Sequence, residues 1–413
     1  MLTPDEARTR WSKLRESSLL SLPTLRTLGQ TTLTPKQTLT SIAWMLYLEY
    51  LPELNDIGQI WPDILRKERT HYQHLRHKYI TVPFQMLHPV GDRESSDMAV
   101  SHMPNEELRG KRAGTPVVDL SVHNPLSLEE DSPWQQHFQD EELKVLIRQD
   151  VRRTFPEQAC FHNPRAQTML EDILFVYCKV HQGVSYRQGM HELLAPLWKV
   201  IDEERVDLSH TEWWTQDPLG TPNTRSTPSA EEAVLQALDV RFTEHDTFTL
   251  FCRLMRTAQP WFEINEVAQN ASARLQRRGA ASSRAGDRQG RMVESLKHLK
   301  IAELSRATPI LACCNNVYHG LLKTVDPEYY QHLESVGVEP QLFGMRWIRL
   351  LWGREFPFEE LMVLWTALFA DDADLSAVEY VCLAMLLRVR HLLMGADYNT
   401  CLQYLLKYPP LID

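Results

Sequence analysis

Apolar side chains return along this chain at intervals of three and four residues. Leu170, Ile173, Leu174, Tyr177 and Val180 follow that spacing, and Leu361, Leu364, Trp365 and Leu368 repeat it. Such spacing puts one apolar stripe on a helix of about 3.6 residues per turn. Phe138, Leu143, Leu146, Ile147 and Val151 predict a further helix. It stops before Pro156, because the residue ahead of a proline is pushed out of the helical region. Runs that alternate apolar and polar residues over strand length are scarce. The pattern therefore predicts an all-α protein built by packing helix on helix.

Three stretches interrupt it. Residues 91–116 set Gly91, Ser95, Ser96, Pro104, Gly110, Gly114 and Pro116 among charges, and residues 215–229 hold Pro218, Gly220, Pro222 and Pro228. Residues 271–291 hold Arg274, Arg277, Arg278, Arg284, Arg288 and Arg291 with Gly279, Gly286 and Gly290. None has enough apolar residues to offset the entropy of ordering, so all are expected to be flexible insertions. The arginine-rich one suits a solvated loop, or a contact with acidic lipid or an acidic partner.

Composition narrows the class. The 413 residues suffice for more than one core, and 43% are hydrophobic, as in soluble globular proteins. A net charge of -10 argues against nucleic acid as a partner, since phosphate binding needs a basic face. Cys160, Cys178, Cys252, Cys313, Cys314, Cys382 and Cys401 are scattered with no Cys-x-x-Cys pair, so reduced thiols and no metal site are expected. The start Met-Leu-Thr-Pro-Asp-Glu lacks the features of a secretory signal, and apolar runs such as 381–387 are too short to span a bilayer. The expectation is a cytoplasmic protein with no integral membrane segment, recruited to membranes by partners.

Two short segments carry candidate chemistry. In residues 147–154, Ile147, Asp150 and Arg153 fall on one side of the predicted helix: Ile147 can anchor in the core, and Asp150 is close enough to orient the Arg153 guanidinium in the last turn. An ordinary Asp–Arg pair at a helix C-terminus would have the same spacing. In residues 186–190, Gly189 permits close backbone approach or positive φ, and Tyr186 can bury its ring while its hydroxyl finds a partner. Gln188 offers a donor and an acceptor suited to holding a water; a helix-entry turn with a solvated glutamine fits equally. An arginine that neutralises charge on a transferring phosphoryl and a glutamine that orients water are the two groups a slow GTPase needs.

In this order and at this separation, the segments resemble the paired finger motifs of the TBC domain, the catalytic module of GTPase-activating proteins for Rab GTPases. Ile-x-x-Asp-x-x-Arg matches Ile147, Asp150 and Arg153; Tyr-x-Gln-Gly matches Tyr186, Gln188 and Gly189. Glu244-His-Asp246, Arg346-Trp347 with Leu350 and Leu351, Arg354-Glu-Phe356, and Leu364-Trp365 before Leu368-Phe369-Ala370 extend the likeness from about Trp11 to Asp413. Residues 149–156, 188–196 and 354–357 resemble an endosomal, retromer-linked branch of the family.

The resemblance implies a two-lobed, V-shaped, all-helical fold whose groove receives a Rab in its GTP state. An N-terminal lobe (1–202) would carry both fingers, with a flexible insertion at about 88–133. A linker or insertion (203–235) would lead to a C-terminal lobe (236–413) with a flexible insertion at about 265–294. It also implies Arg153 and Gln188 as catalytic groups, Asp150 and Tyr186 as supports, and no cofactor of the chain's own, since Mg²⁺ and GTP come with the GTPase. A late-endosomal Rab would be the substrate. Two departures stand out. Thr40 occupies the arginine position of the family's Arg-x-x-x-Trp before Trp44, and Thr366 replaces the aspartate of Trp-Asp, implying a weaker buried hydrogen bond.

Two further pieces suggest partners. Asn124, Pro125 and Leu126 resemble the segment with which that endosomal branch engages the small phosphoesterase-like subunit of retromer. Pro125 stiffens the segment and Leu126 offers an apolar anchor, or else Leu126 returns a loop to the core. Trp11 and Leu14 fit the Trp-x-x-Leu pattern that docks on ubiquitin-like autophagy proteins, or else form the core face of an amphipathic helix. The leading function is Rab GTPase activation in endosomal, retromer-linked trafficking; the alternative is a catalytically idle scaffold that binds Rab or retromer. Retention of both Arg153 and Gln188 favours activity.

Overall fold

The computed structural model describes residues 1–18, 22–31, 38–52, 56–81, 133–181, 183, 185–210, 228–263 and 308–410. Among the described residues the regular elements are helices, joined by two isolated parallel bridges, Leu2 with Val206 and Val206 with Asp239. The all-α expectation holds. None of the described helices is long and apolar enough to cross a membrane.

The first four helices are α1 (Pro4–Ser18), α2 (Leu22–Thr31), α3 (Thr40–Tyr47) and α4 (Ile57–Arg76). Next come α5 (Pro133–Val151), α6 (Pro164–Val180), α7 (Met190–Glu204), α8 (Ala230–Ala237) and α9 (Thr243–Ala258). The C-terminal set is α10 (Pro309–Asn315), α11 (Pro327–Val336), α12 (Gln341–Arg349), α13 (Phe358–Asp371), α14 (Val378–Arg388), α15 (Arg390–Leu393) and α16 (Tyr398–Leu406). The expected insertions at about 88–133 and 265–294 lie outside the described residues, except that Pro133 opens α5. The expected linker at 203–235 needs correction at both ends. Glu204 closes α7, Val206 and Leu208 are buried, and Ser229 caps α8 through a capping box with Glu232.

One hydrophobic cluster runs from Ala7 to Tyr408. α7 lies deep within it, with Met190, Leu193, Leu194, Ala195 and Leu197 all buried. The N-terminal helices reach the far end of the chain. α2 packs on α13, where Arg26 donates to the Asp371 carbonyl at 3.1 Å. Gly29 allows that approach: a Cβ there would lie 2.5 Å from Ala370 Cβ.

Charged groups inside the cluster are paired, as burial requires. Arg69 of α4 meets Asp246 of α9 through Nε–Oδ1 at 2.9 Å and Nη2–Oδ2 at 2.6 Å, and the Tyr50 hydroxyl donates to the same carboxylate at 2.7 Å. Glu204, at the end of α7, accepts the backbone N–H groups of Thr40 and Ser41 at 2.8 Å each and so caps α3 from a distant part of the chain. The two departures are absorbed here. Thr40 opens α3 on that cap, and Thr366 still accepts the Trp44 indole N–H at 3.1 Å. The buried hydrogen bond at Thr366 is kept.

Trp11 and Leu14 are buried in α1, with Trp11 edge-on to Trp61 at 6.1 Å. The docking role for this pair is therefore corrected. A core-facing indole cannot enter a partner's pocket without unfolding α1, and the amphipathic-helix reading is the one observed.

Candidate functional site

The arginine segment forms the C-terminus of α5. Ile147 and Val151 are buried and fix the helix on the core, while Asp150, the next-to-last residue of α5, is buried beside them. The helix then breaks sharply. Arg153 N–H and the Thr154 hydroxyl both donate to the Asp150 carbonyl, at 3.2 and 3.1 Å, and Phe155 takes a φ of +38°. A positive φ at an aromatic residue is costly and persists only where packing holds it. Here the Phe155 ring stacks edge-on to Phe358 at 5.1 Å. The outcome is an arginine that leaves the helix end with its side chain 52% exposed.

The glutamine segment is the turn that enters α7. Gly189 has a φ of +108°, and a Cβ there would meet Leu350 Cδ2 at 2.7 Å, so no other residue fits without movement. Tyr186 is buried and Gln188 is exposed.

One carboxylate joins the two segments. Asp150 Oδ1 receives Arg153 Nη2 at 2.6 Å, and Oδ2 receives the Tyr186 hydroxyl at 2.7 Å. Tyr186 stands two residues before Gln188, so the support of the arginine is also the support of the glutamine turn. The predicted group Ile147, Asp150, Arg153, Tyr186, Gln188 and Gly189 is thus brought into one place. Asn124, Pro125 and Leu126 lie outside the described residues.

The sequence reading gave no role to the continuation of this network. His191 Nδ1 lies 3.0 Å from the Tyr186 hydroxyl oxygen. Nδ1 also receives the Gly189 backbone N–H at 3.4 Å, so the ring joins the tyrosine to the glutamine turn. Burial pushes His191 down to about 4, so the ring is neutral at neutral pH. Burial and the hydrogen bond to Asp150 push the Tyr186 hydroxyl far above the usual phenol range, keeping it a donor. Beside His191, the buried Glu192 is held by Arg354, with Nε 2.9 Å from Oε1 and a second short contact from Nη2. Arg354 follows a turn strained at Leu351 (φ +43°) and Trp352 (φ +61°), so its placement is imposed by surrounding structure. The available signal was a His-Glu pair, residues 191–192, inside the apolar run that begins α7.

The arrangement presents a guanidinium and a carboxamide at the surface, on supports that are buried and hydrogen-bonded. Such groups suit stabilising a phosphoryl transition state in a partner protein.

A family model described as the Rab-GTPase-TBC domain matches residues 124–278 and 292–394. The chain is 34% identical over 373 residues to TBC1 domain family member 5 of Mus musculus, covering 90% of this chain and 38% of that protein. It is 33% identical over 369 residues to the Homo sapiens protein of the same name, covering 89% and 39%. The chain therefore spans about two fifths of the length of these relatives. In fold it resembles the Ypt/Rab-GAP domain of Gyp1p, with a TM-score of 0.58 at 16% identity, covering 97% of this chain and 91% of that one. Both finger segments fall inside the first matched stretch, and by that match the chain belongs to the Rab-GTPase-TBC domain family.

Proposed function

We propose that this chain accelerates GTP hydrolysis on a Rab GTPase by supplying two groups in trans. Arg153 neutralises charge that develops on the transferring phosphoryl, and Gln188 orients the attacking water in place of the GTPase's own glutamine. The observation that carries the reading is the shared support. A single buried carboxylate, Asp150, holds Arg153 on one oxygen and Tyr186, at the base of the glutamine turn, on the other. Mg²⁺ and nucleotide arrive with the GTPase. The membership of the chain in the family and its likeness to TBC1 domain family member 5 support the same function.

Single-turnover hydrolysis by GTP-loaded Rabs tests it. Arg153→Ala lowers the acceleration roughly a thousandfold, about 4 kcal/mol of barrier. Arg153→Lys also fails, because an ammonium cannot reproduce the planar fork. Gln188→Ala abolishes the response, whereas a Rab with leucine at its own catalytic glutamine still responds to the wild-type chain. A Rab that binds the wild type and is not accelerated by it would leave the idle-scaffold reading instead.

Endosomal recruitment belongs to the same proposal. In it, Asn124, Pro125 and Leu126 dock on retromer, Leu126 entering an apolar pocket. Leu126→Glu then reduces retromer binding and endosomal residence; undiminished binding would remove this address. A late-endosomal Rab is the substrate to test first.

A further inference from the structure

The finger loop is flanked by two arginines that play no part in the network around Asp150. Arg187 sits between Tyr186 and Gln188, and Arg349 ends α12. Arg349 lies against the loop: its Cδ is 3.9 Å from the position a Cβ would take on Gly189. It cannot swing freely. Its Nε donates to the Trp261 carbonyl at 3.2 Å, and its guanidinium stands 5.7 Å from the centre of the Phe262 ring. These contacts occupy one edge and one face of the fork, and among the described residues the Nη edge has no hydrogen bond. The Nε of Arg187 is buried with no hydrogen-bond partner among the described residues.

The other two arginines at this site are treated differently. Arg153 is paired with Asp150 and Arg354 with Glu192. No carboxylate is ion-paired with Arg187 or Arg349 among the described residues, although the whole chain carries a net charge of -10. Burial pushes Arg349 downward, and the charge of Arg187 adds to that push, so the two cations lie close enough to repel. Two partly desolvated like charges with no counter-ion among the described residues cost free energy, and a docking anion relieves that cost.

We propose that Arg187 and Arg349 form a second cationic site beside the fingers, which takes a carboxylate on the surface of the bound GTPase. The inference rests on the Rab-activating function proposed above. A planar fork immobilised by Trp261 and Phe262 matches a carboxylate bidentately. An anion seated there bridges Arg187 of the glutamine turn and Arg349 of α12 without touching the support at Asp150. Arg153 answers to the nucleotide; this pair answers to the identity of the protein that carries it.

The experiment measures kcat and KM for activation of a GTP-loaded Rab, at low and high ionic strength, for wild type, Arg187→Gln, Arg349→Gln and Arg349→Lys. Wild-type acceleration is scored first, and its absence on every Rab overturns both readings. Given acceleration, each glutamine variant raises KM by about tenfold at low ionic strength, keeps kcat within about twofold, and flattens the dependence of kcat/KM on salt. Arg349→Lys recovers part of the salt dependence without recovering the full affinity. Unchanged KM and salt dependence overturn the inference. So does a loss confined to kcat, which would place the anion on the nucleotide. Arg349 is partly buried; if Arg349→Gln does not fold, Arg187→Gln decides alone.

Discussion

Tyr186 donates its hydroxyl to Asp150 across 2.7 Å, and this bond links the turn that carries the glutamine to the helix end that carries the arginine. Tyr186→Phe keeps the buried ring and removes the link. It leaves one oxygen of a buried carboxylate short of a donor, at a cost of about 1–3 kcal/mol. Arg153 then loses part of its aim, and a misplaced catalytic group costs rate steeply. The expected result is a loss of activation of about tenfold or more in a folded protein. Full activity in the phenylalanine variant would show that the two fingers are held independently.

Gly189 fixes the glutamine turn. Its φ of +108° and the 2.7 Å approach to Leu350 act together, so Gly189→Ala introduces both backbone strain and a clash. About 1–3 kcal/mol of stability is lost, and the turn shifts away from Leu350. Gln188 moves with it. Hydrolysis assays should show activation reduced beyond what the loss of stability explains, measured well below the melting temperature. A variant that is fully active and equally stable would mean the turn relaxes at no cost.

The Arg69–Asp246 pair tests the frame beneath the site. Asp246→Asn leaves Arg69 buried without its counter-ion, and breaking such a pair typically costs about 3–5 kcal/mol. Replacing both partners with apolar residues of similar size, as in Arg69→Met with Asp246→Leu, should cost less than the single change. Denaturant unfolding of the three variants measures this. A double variant less stable than Asp246→Asn would refute the argument.

The helices and the finger segments were legible in the sequence because each depends on near neighbours. Burial forces Leu170, Ile173, Leu174 and Tyr177 onto one stripe, and the Asp150–Arg153 spacing is a single helical turn. Phe138 and Leu146 belong to the pattern that predicted α5, yet they are 53% and 47% exposed, since an apolar pattern does not say whether it faces a core or a partner. What stayed hidden depends on contacts between distant positions. Nothing near Glu192 announces Arg354, 162 residues away, and nothing near Thr40 announces the cap from Glu204, 164 residues away. Trp11 showed the reverse difficulty: a short linear pattern fitted both a docking motif and the core face of a helix, and its burial is what separates them.

His191 gives the site a dependence on pH. Its folded pKa of about 4 lies below the ordinary 6.5, chiefly through burial, with Arg153 and Arg354 pushing the same way and Glu192 and Asp150 opposing. Between those two values the unfolded chain binds a proton that the folded chain refuses. The contribution of His191 is therefore complete above about pH 6.5 and is lost as the pH falls toward 4, by up to about 3 kcal/mol. Asp172, pushed up to about 6, and Glu204, pushed up to about 7, both mainly by burial, act in the opposite sense, so the wild-type curve alone mixes these effects. Comparison with His191→Gln separates them, because glutamine keeps a polar side chain at the position but does not titrate. Unfolding free energies measured from pH 8 down to pH 5 should converge as the medium is acidified, the wild type losing its advantage over the variant. Parallel curves would mean that the His191 ring is not held neutral by the fold.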